Sequence, residues 1–525
     1  MTVVCVAAAL ALLGGAAASG PTASSAGRIK VDPRTGLFVD ELGRSRIFHG
    51  VNVVEKLAPF YPPSGPGTPE DPLRSLTAAD VAQLHDEWGF NAVRLGVLWS
   101  ATMPDASGKP NATYLTRMVG IADALGAAGV HTIVDAHQDS LAGSLCGEGV
   151  PEWAIGLALA HSGFNVSDPA TAFPAPKKWD LPIDPATGHP DVRWCQNRTF
   201  FKYLTTTQSE AAWKGLYDAP DVRAAFATHW GAVAAAFNAG LPASLPHWGA
   251  VAPPPPPPPP RGLIGYELLN EPFKRPGLSL SDKKALGPLY AAAHEAIRAA
   301  DNETVVLWEP LVIDSYLGVV PFTTTDFTSG PGGAAYDDRQ AFAYHLYCSS
   351  QAGTGEPDCG PLSLLLTDGW KWAARSRKKV GGGGFLTEFG AVSDSNLSAA
   401  LLDAMGAEAD AQLQSWAYWT YKSFDDITTE NKVTETFFKA DGTLQMNKIK
   451  RLSRTYAMAI AGTPSKSLFS PAAPTDEVAP SHSSYELVYR AGGRYLLTSL
   501  ALYPSSFTDS RLTPLLVPAR PHFST

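Results

Sequence analysis

Apolar residues along this chain follow two patterns that take turns. Short runs rich in Val, Ile, Phe, Tyr and Leu are separated by stretches in which apolar positions return every three or four residues. The runs are SRIFHGVNVV (45–54), NAVRLGV (91–97), HTIVDAHQD (131–139), LIGYELLNEP (263–272), TVVLWEP (304–310), AFAYHLY (341–347), GGFLTEFG (383–390) and SWAYWTYK (415–422). Each reads as a strand buried on both faces. Between them LTAADVAQLHDEWGF places Thr77 as a helix cap, with Val81, Leu84 and Trp88 on one face. TYLTRMVGIADALGAAGV repeats the theme with Leu115, Met118, Ala122 and Leu125. Eight strands alternating with helices predict an α/β protein, a (β/α)8 TIM barrel over residues 28–464.

Two segments interrupt the alternation. Residues 140–215 form a long insertion after the third strand, and Pro253–Pro260 is an unbroken proline run expected to be an extended surface segment. From 465 to 525 the period changes. SYELVYR (484–490) and RYLLTSLALY (494–503) alternate like antiparallel strands between Pro- and Ser-rich turns, which predicts a small β-rich, sandwich-like domain, reduced or incomplete.

A chain of 525 residues exceeds one typical core, in keeping with a large domain and a smaller one. A net charge of −9 argues against nucleic acid as a partner. MTVVCVAAALALLGGAAASG has an apolar centre and an Ala16-x-Ala18 ending, the form of a signal peptide spanning 1–18, although no Lys or Arg precedes it. The expected location is therefore secreted, or the lumen of the endomembrane system, lysosome or vacuole. Four cysteines follow that segment, Cys146, Cys195, Cys348 and Cys359. An even number in a secreted chain favours two disulfides, and of the three pairings the local one, Cys146–Cys195 with Cys348–Cys359, is the cheapest. Sequons at Asn111, Asn165, Asn197, Asn302 and Asn396 fit the same route.

Chemistry collects at the carboxyl ends of the strands, where the sequence places Arg94, Asp135, His137, Asn270, Glu271, His345, Tyr347, Glu388 and Trp419. Glu271 and Glu388 each close an apolar run just before turn chemistry (Pro272, Gly390). A buried strand has no reason to stop on a charge unless its end faces a cleft. Two carboxyl groups facing one cleft are what glycoside hydrolysis needs, about 5 to 5.5 Å apart when configuration is retained. Arg94 is placed to keep Glu388 ionised, and the negative Glu388 to keep Glu271 protonated. Tyr347 is placed to hydrogen-bond the nucleophile, and Trp419 to offer a sugar a stacking face. Asp135-x-His137 lacks a third ligand at metal spacing, so no metal and no cofactor is expected.

FHGVNVVEKLAPFYP, NAVRLGVLWS, DAHQDSLAG followed by GEGVPEWA, GYELLNEPF, YHLYC, LTEFGA and WAYWTYKSF together resemble glycoside hydrolase family 5. More narrowly, over roughly residues 45–465 they resemble its endoglycoceramidase branch and relatives that cleave simpler glycolipids. The resemblance implies a retaining hydrolase acting between glycan and ceramide, with Glu271 as acid/base, Glu388 as nucleophile and Asn270 on the sugar 2-hydroxyl. Arg94, Asp135, His137, His345, Tyr347 and Trp419 match other cleft positions, and Lys56 matches a sugar-contacting lysine. The implied partner is a glycolipid at a membrane or micelle surface. Trp153, Ile155, Leu157 and Leu159 are candidates either for a groove that takes its acyl chains or for a buried helix face. The alternatives are a glucosylceramide or steryl glucoside β-glucosidase and a polysaccharide endo-β-glycanase of the same family. The proline run and the tail after residue 491 depart from the family pattern.

Overall fold

The computed structural model describes residues 27–198, 200–240, 262–274, 281–312, 324–350, 354–358, 363–428, 432–470, 483–491 and 494–502. The signal segment, the proline run and Cys359 lie outside the described residues. Eight parallel strands close a barrel: β1 (His49–Val53), β2 (Ala92–Gly96), β3 (His131–Asp135), β4 (Leu263–Glu267), β5 (Val305–Trp308), β6 (Gln340–Leu346), β7 (Gly383–Gly390) and β8 (Ser415–Trp419). Every position in them is buried, because helices cover the outside and side chains fill the inside. That is why the runs read as continuously apolar rather than alternating.

The strands are shorter than their apolar runs. The first run splits: Ser45–Arg46 turns aside to pair with Ala459–Ile460, and the barrel begins only at His49. The fourth ends at Glu267, so Glu271 stands past the ladder, at φ +40°. The helix from Thr77 starts as the sequence predicts, with a Thr77–Asp80 capping box, but Gln83–Glu87 winds more widely, as a π-helix. Val81, Leu84 and Trp88 are nevertheless all buried. Asn111 caps the helix Ala112–Ala127 through the Tyr114 amide, and that helix buries Leu115, Met118, Ala122 and Leu125.

At the amino ends of the strands, Phe48, Ala92, Ile133, Ile264 and Phe385 form a core with Ile29, Val31 and Phe38. The last two belong to a hairpin, Lys30–Asp32 with Leu37–Val39, that covers this floor of the barrel. Polar chemistry is thereby left to the carboxyl ends. Within the insertion the helices Glu152–His161 and Thr207–Asp218 pack together, and Cys146 is bonded to Cys195. Cys348 is also disulfide-bonded. Beyond the barrel, Thr463–Ser470, Ser483–Ala491 and Arg494–Leu502 form an antiparallel three-stranded sheet.

Gly265 shows how tightly β4 is held. A Cβ there would meet the Val305 carbonyl oxygen at 2.5 Å and run into the Leu307 side chain. Gly265→Ala is therefore expected to destabilise the fold by about 1 to 3 kcal/mol through overpacking. The check is urea unfolding, with a lower midpoint at unchanged slope.

Candidate active site

Arg94 leaves β2 fully buried and uses its whole guanidinium. Nε donates to Glu267 Oε2 at 2.5 Å, and Nη1 to Glu388 Oε1 at 2.5 Å and to Asn52 Oδ1 at 3.0 Å. Nη2 donates to Asn270 Oδ1 at 2.8 Å and lies 3.0 Å from Asp135 Oδ1. Burial opposes this charge, but the carboxylates around it, Asp135, Glu267 and Glu388 first, outweigh it and hold Arg94 well above its usual range.

Glu388 sits where the ladders of β7 to both neighbours shift register, an irregularity that re-aims a side chain. Its second oxygen accepts the Tyr347 hydroxyl at 2.6 Å. Glu271 meets His345 Nδ1 at 2.9 Å instead. That imidazole is driven toward neutrality by burial, although Glu388 opposes the shift. One carboxyl oxygen of Glu271, one of Glu388 and one nitrogen of His345 all lie within 4.8 Å of one another.

The two carboxyls are not equivalent. Burial raises Glu271 from 4.5 to about 8, with the charge of Asp139 adding to it and His137, Arg94 and Lys56 opposing. Burial also raises Glu388, but His345 and Arg94 act against the shift. The guanidinium and phenol favour the anion at Glu388, while Glu271 has only a neutral imidazole. This corrects one expectation: burial, then Asp139, keeps the proton on Glu271, rather than the charge of Glu388.

Beside the pair runs a second buried network. His137 Nδ1 is 2.7 Å from Asp135 Oδ2, and its Nε2 is 3.6 Å from Asp139 Oδ2. Burial opposes the charge of His137, but the two aspartates raise it to about 10, so it is an imidazolium at neutral pH. Its ring stacks on Trp419 with centroids 5.3 Å apart. Lys56 differs from expectation. Its ammonium is shut away from solvent, bonded to Asp139 at 2.6 Å, Thr428 at 2.6 Å and Asp426 at 3.0 Å. It lies 4.8 Å over the Trp419 ring, and in this conformation it supports the cleft wall rather than presenting itself to a sugar. His137, Asp139 and Glu148 are spaced as metal ligands could be, and so are Glu267, Glu309 and His345. In the first group Lys56 already holds the cationic position, 2.6 Å from Asp139 and 3.8 Å from Glu148; in the second, Arg94 lies 2.5 Å from Glu267.

Residues 64–240 and 261–425 match the family described as Cellulase (glycosyl hydrolase family 5). The chain belongs to glycosyl hydrolase family 5. This family 5 enzyme is 29% identical over 444 residues to an endoglycoceramidase of Cyanea nozakii, covering 83% of this chain and 77% of that protein. It is 30% identical over 446 residues to an endoglycoceramidase of Hydra vulgaris, covering 83% of this chain and 74% of that one. The fold is similar to that of the solved endo-glycoceramidase II from Rhodococcus sp., with a TM-score of 0.60 at 21% identity over 86% of each chain.

The family 5 barrel brings Arg94, Asp135, His137, Asn270, Glu271, His345, Tyr347, Glu388 and Trp419 to one end, together with Asp139, Glu267 and Glu309, which sequence reasoning passed over. Glu309 closes the run TVVLWEP on a carboxylate just as Glu271 and Glu388 close theirs, so its signal was present. Glu267 is a charge inside an apolar run, with only its partner Arg94 to explain it. The candidate lipid segment divides. Ile155 and Leu159 are buried in the main core, and half-buried Trp153 donates to the Met103 carbonyl at 3.0 Å, so these serve packing and not a groove. Leu157 alone of the four is exposed.

A general acid works only while protonated. Because Glu271 is raised to about 8, the protonated form prevails at neutral pH and is lost as pH rises through about 8. The pH profile of kcat/KM should show a basic limb near pH 8 that vanishes in Glu271→Gln. A limb that persists in this variant would assign it to another group.

Proposed function

We propose that this family 5 glycoside hydrolase is a retaining β-glycosidase of the endoglycoceramidase kind, releasing the glycan from ceramide in glycosphingolipids at a membrane or micelle surface. The observation that carries the mechanism is the approach of Glu271 and Glu388 carboxyl oxygens to within 4.8 Å. An inverting pair stands about 6.5 to 9.5 Å apart to admit a water, whereas a retaining pair stands near 5 Å. The substrate class is supported by the endoglycoceramidases of Cyanea nozakii and Hydra vulgaris that the chain resembles along most of its length.

In the first step Glu388 Oε2 or Oε1 attacks the anomeric carbon while Glu271 gives its proton to the glycosidic oxygen, and that C–O bond breaks. Ceramide leaves as the neutral alcohol, and the sugar stays esterified to Glu388. Glu271, now a carboxylate, takes a proton from water as the water attacks the same carbon. Release of the sugar restores the Glu388 carboxylate and the Glu271 acid. Asn270 is oriented by Arg94 at 2.8 Å and by its own Nδ2 donating to the Gln138 carbonyl at 3.1 Å, in keeping with the proposed contact to the 2-hydroxyl. The Cys146–Cys195 bond supports a location in an oxidising compartment, the secretory lumen or beyond.

A panel of glucosylceramide, lactosylceramide, a ganglioside, a steryl glucoside and a cello-oligosaccharide tests the reading. Intact ceramide with free oligosaccharide is the expected product, and removing the acyl chain should lower kcat/KM steeply, since remote binding energy is used to orient the scissile bond. Equal efficiency on the cello-oligosaccharide would favour the polysaccharide alternative. Proton NMR should find the β-anomer first, and an α-anomer formed first would contradict retention. Glu388→Gln should lose turnover on every substrate by orders of magnitude, while Glu271→Gln should spare the first step for an activated aryl glycoside.

A further inference from the structure

Of the carboxyl groups in the site that take no part in the steps above, Glu309 stands nearest the Glu271 backbone. Glu309, just past the end of β5, is buried beneath the acid/base glutamate. Its Oε1 accepts the backbone N–H of Glu271 at 3.4 Å. The same oxygen lies 3.4 Å from His345 Nε2, while the opposite ring nitrogen of His345 meets the Glu271 carboxyl at 2.9 Å. Glu309 therefore reaches Glu271 by a hydrogen bond through the main chain, and it stands against the imidazole that meets the Glu271 carboxyl without a hydrogen bond to Nε2. Its own backbone is fixed as well. The Tyr290 hydroxyl donates to the Glu309 carbonyl at 2.9 Å, and Val312 N–H donates to the Pro272 carbonyl at 2.8 Å.

Such support has a purpose, because Glu271 is held at φ +40°. A non-glycine residue in the left-handed region persists only where its surroundings over-determine it. Glu309 holds the amide on one side of this residue. Gln138 Nε2 holds the carbonyl of that same peptide, Asn270, at 2.7 Å, and the Glu271 carbonyl on the other side at 3.4 Å.

The charge on Glu309 follows from what surrounds Arg94. Asp135, Glu267 and Glu388 lie at 3.0, 2.5 and 2.5 Å from the guanidinium and Glu309 at 3.8 Å, the most distant of the four. Among the described residues no other cation reaches Glu309, since His345 beside it is neutral. Glu267 and Glu388 also face it, each adding repulsion to an anion there. Burial and then Glu267 raise Glu309 well above the ordinary carboxyl range, with Arg94 opposing.

We infer that Glu309 is a positioning residue: its carboxyl oxygen fixes the strained backbone of Glu271 beneath the His345 ring, and so holds the acid/base carboxyl in line with the leaving oxygen. The inference rests on the retaining reading for the role of Glu271. Being neutral, Glu309 sets geometry without setting the pKa of the acid.

Two substitutions separate geometry from charge. Glu309→Gln keeps an acceptor for the Glu271 amide and carries no charge, whereas Glu309→Leu removes the acceptor. In Glu309→Leu kcat should fall about 100-fold at little-changed KM, the scale of loss when a catalytic group is misplaced. The loss should be smaller for an aryl glycoside whose leaving group needs no proton. Glu309→Gln should recover most of that kcat, with the basic limb of kcat/KM at its wild-type pH. A limb displaced to lower pH in Glu309→Gln would show that a neighbouring negative charge had been removed, and would overturn the inference. So would wild-type kcat in Glu309→Leu. Infrared spectra give a readout free of catalysis. At neutral pH the wild-type minus Glu309→Gln difference should contain a carboxylic-acid C=O band, and a carboxylate band in its place would overturn the assignment. If the wild-type enzyme releases glycan from no member of the panel, the proposed function fails while this spectrum still decides the state of Glu309.

Discussion

A guanidinium cut off from water can persist only if its N–H groups find acceptors and its charge is balanced, and Arg94 does both, with four hydrogen bonds and an ion pair to Asp135, by drawing on most of the barrel. Asn52 comes from β1, Asp135 from β3, Glu267 from β4, Asn270 from the turn after it, and Glu388 from β7. Removing one partner of a buried pair costs about 3 to 5 kcal/mol, because the other charge is left uncompensated. The carboxyl ends of the strands are therefore tied at fixed separations by a single side chain. The catalytic pair inherits its spacing from that tie: Glu388 is bonded to Arg94 directly, and Glu271 follows Asn270, which is bonded to it as well.

The same arrangement makes the two glutamates chemically different without any large difference in burial. Arg94 and Tyr347 give the Glu388 anion two strong donors, and charge-assisted hydrogen bonds of this kind are roughly twice as strong as neutral ones. Glu271 faces His345, whose own burial keeps it neutral. An imidazolium stands nearby at His137, but Asp135 and Asp139 claim its charge. The proton on Glu271 thus depends on its own dry environment more than on the nucleophile beside it.

The barrel and its two catalytic-end carboxyls were legible because both are local signals: apolar runs of strand length, each stopping on a charge before a turn. Tertiary competition decided the rest. Ser45–Arg46 was taken out of the first strand by a partner 413 positions away, Ala459, which no local pattern announces. The widened turn at Gln83–Glu87 keeps the buried face that the sequence predicts while changing the backbone hydrogen bonds. Lys56 has nothing in its neighbourhood of sequence to mark it as buried; its three partners lie at Asp139, Asp426 and Thr428. Ile155 and Leu159 carry a helical period that suits a core and a lipid groove alike, and only their packing separates the two.

The pairing of Arg46 with Ala459 has a further consequence, for the order in which the chain is assembled during synthesis. The hairpin Lys30–Asp32 with Leu37–Val39 is joined to Ser45–Arg46, and this sheet gains its fourth strand only from Ala459–Ile460. A ribosome has translated most of the protein before that strand emerges. Until then, the floor of the barrel presents an open sheet edge, and β1 waits for β8 as well. Closure of the barrel and completion of its floor thus both wait for the last quarter of the sequence.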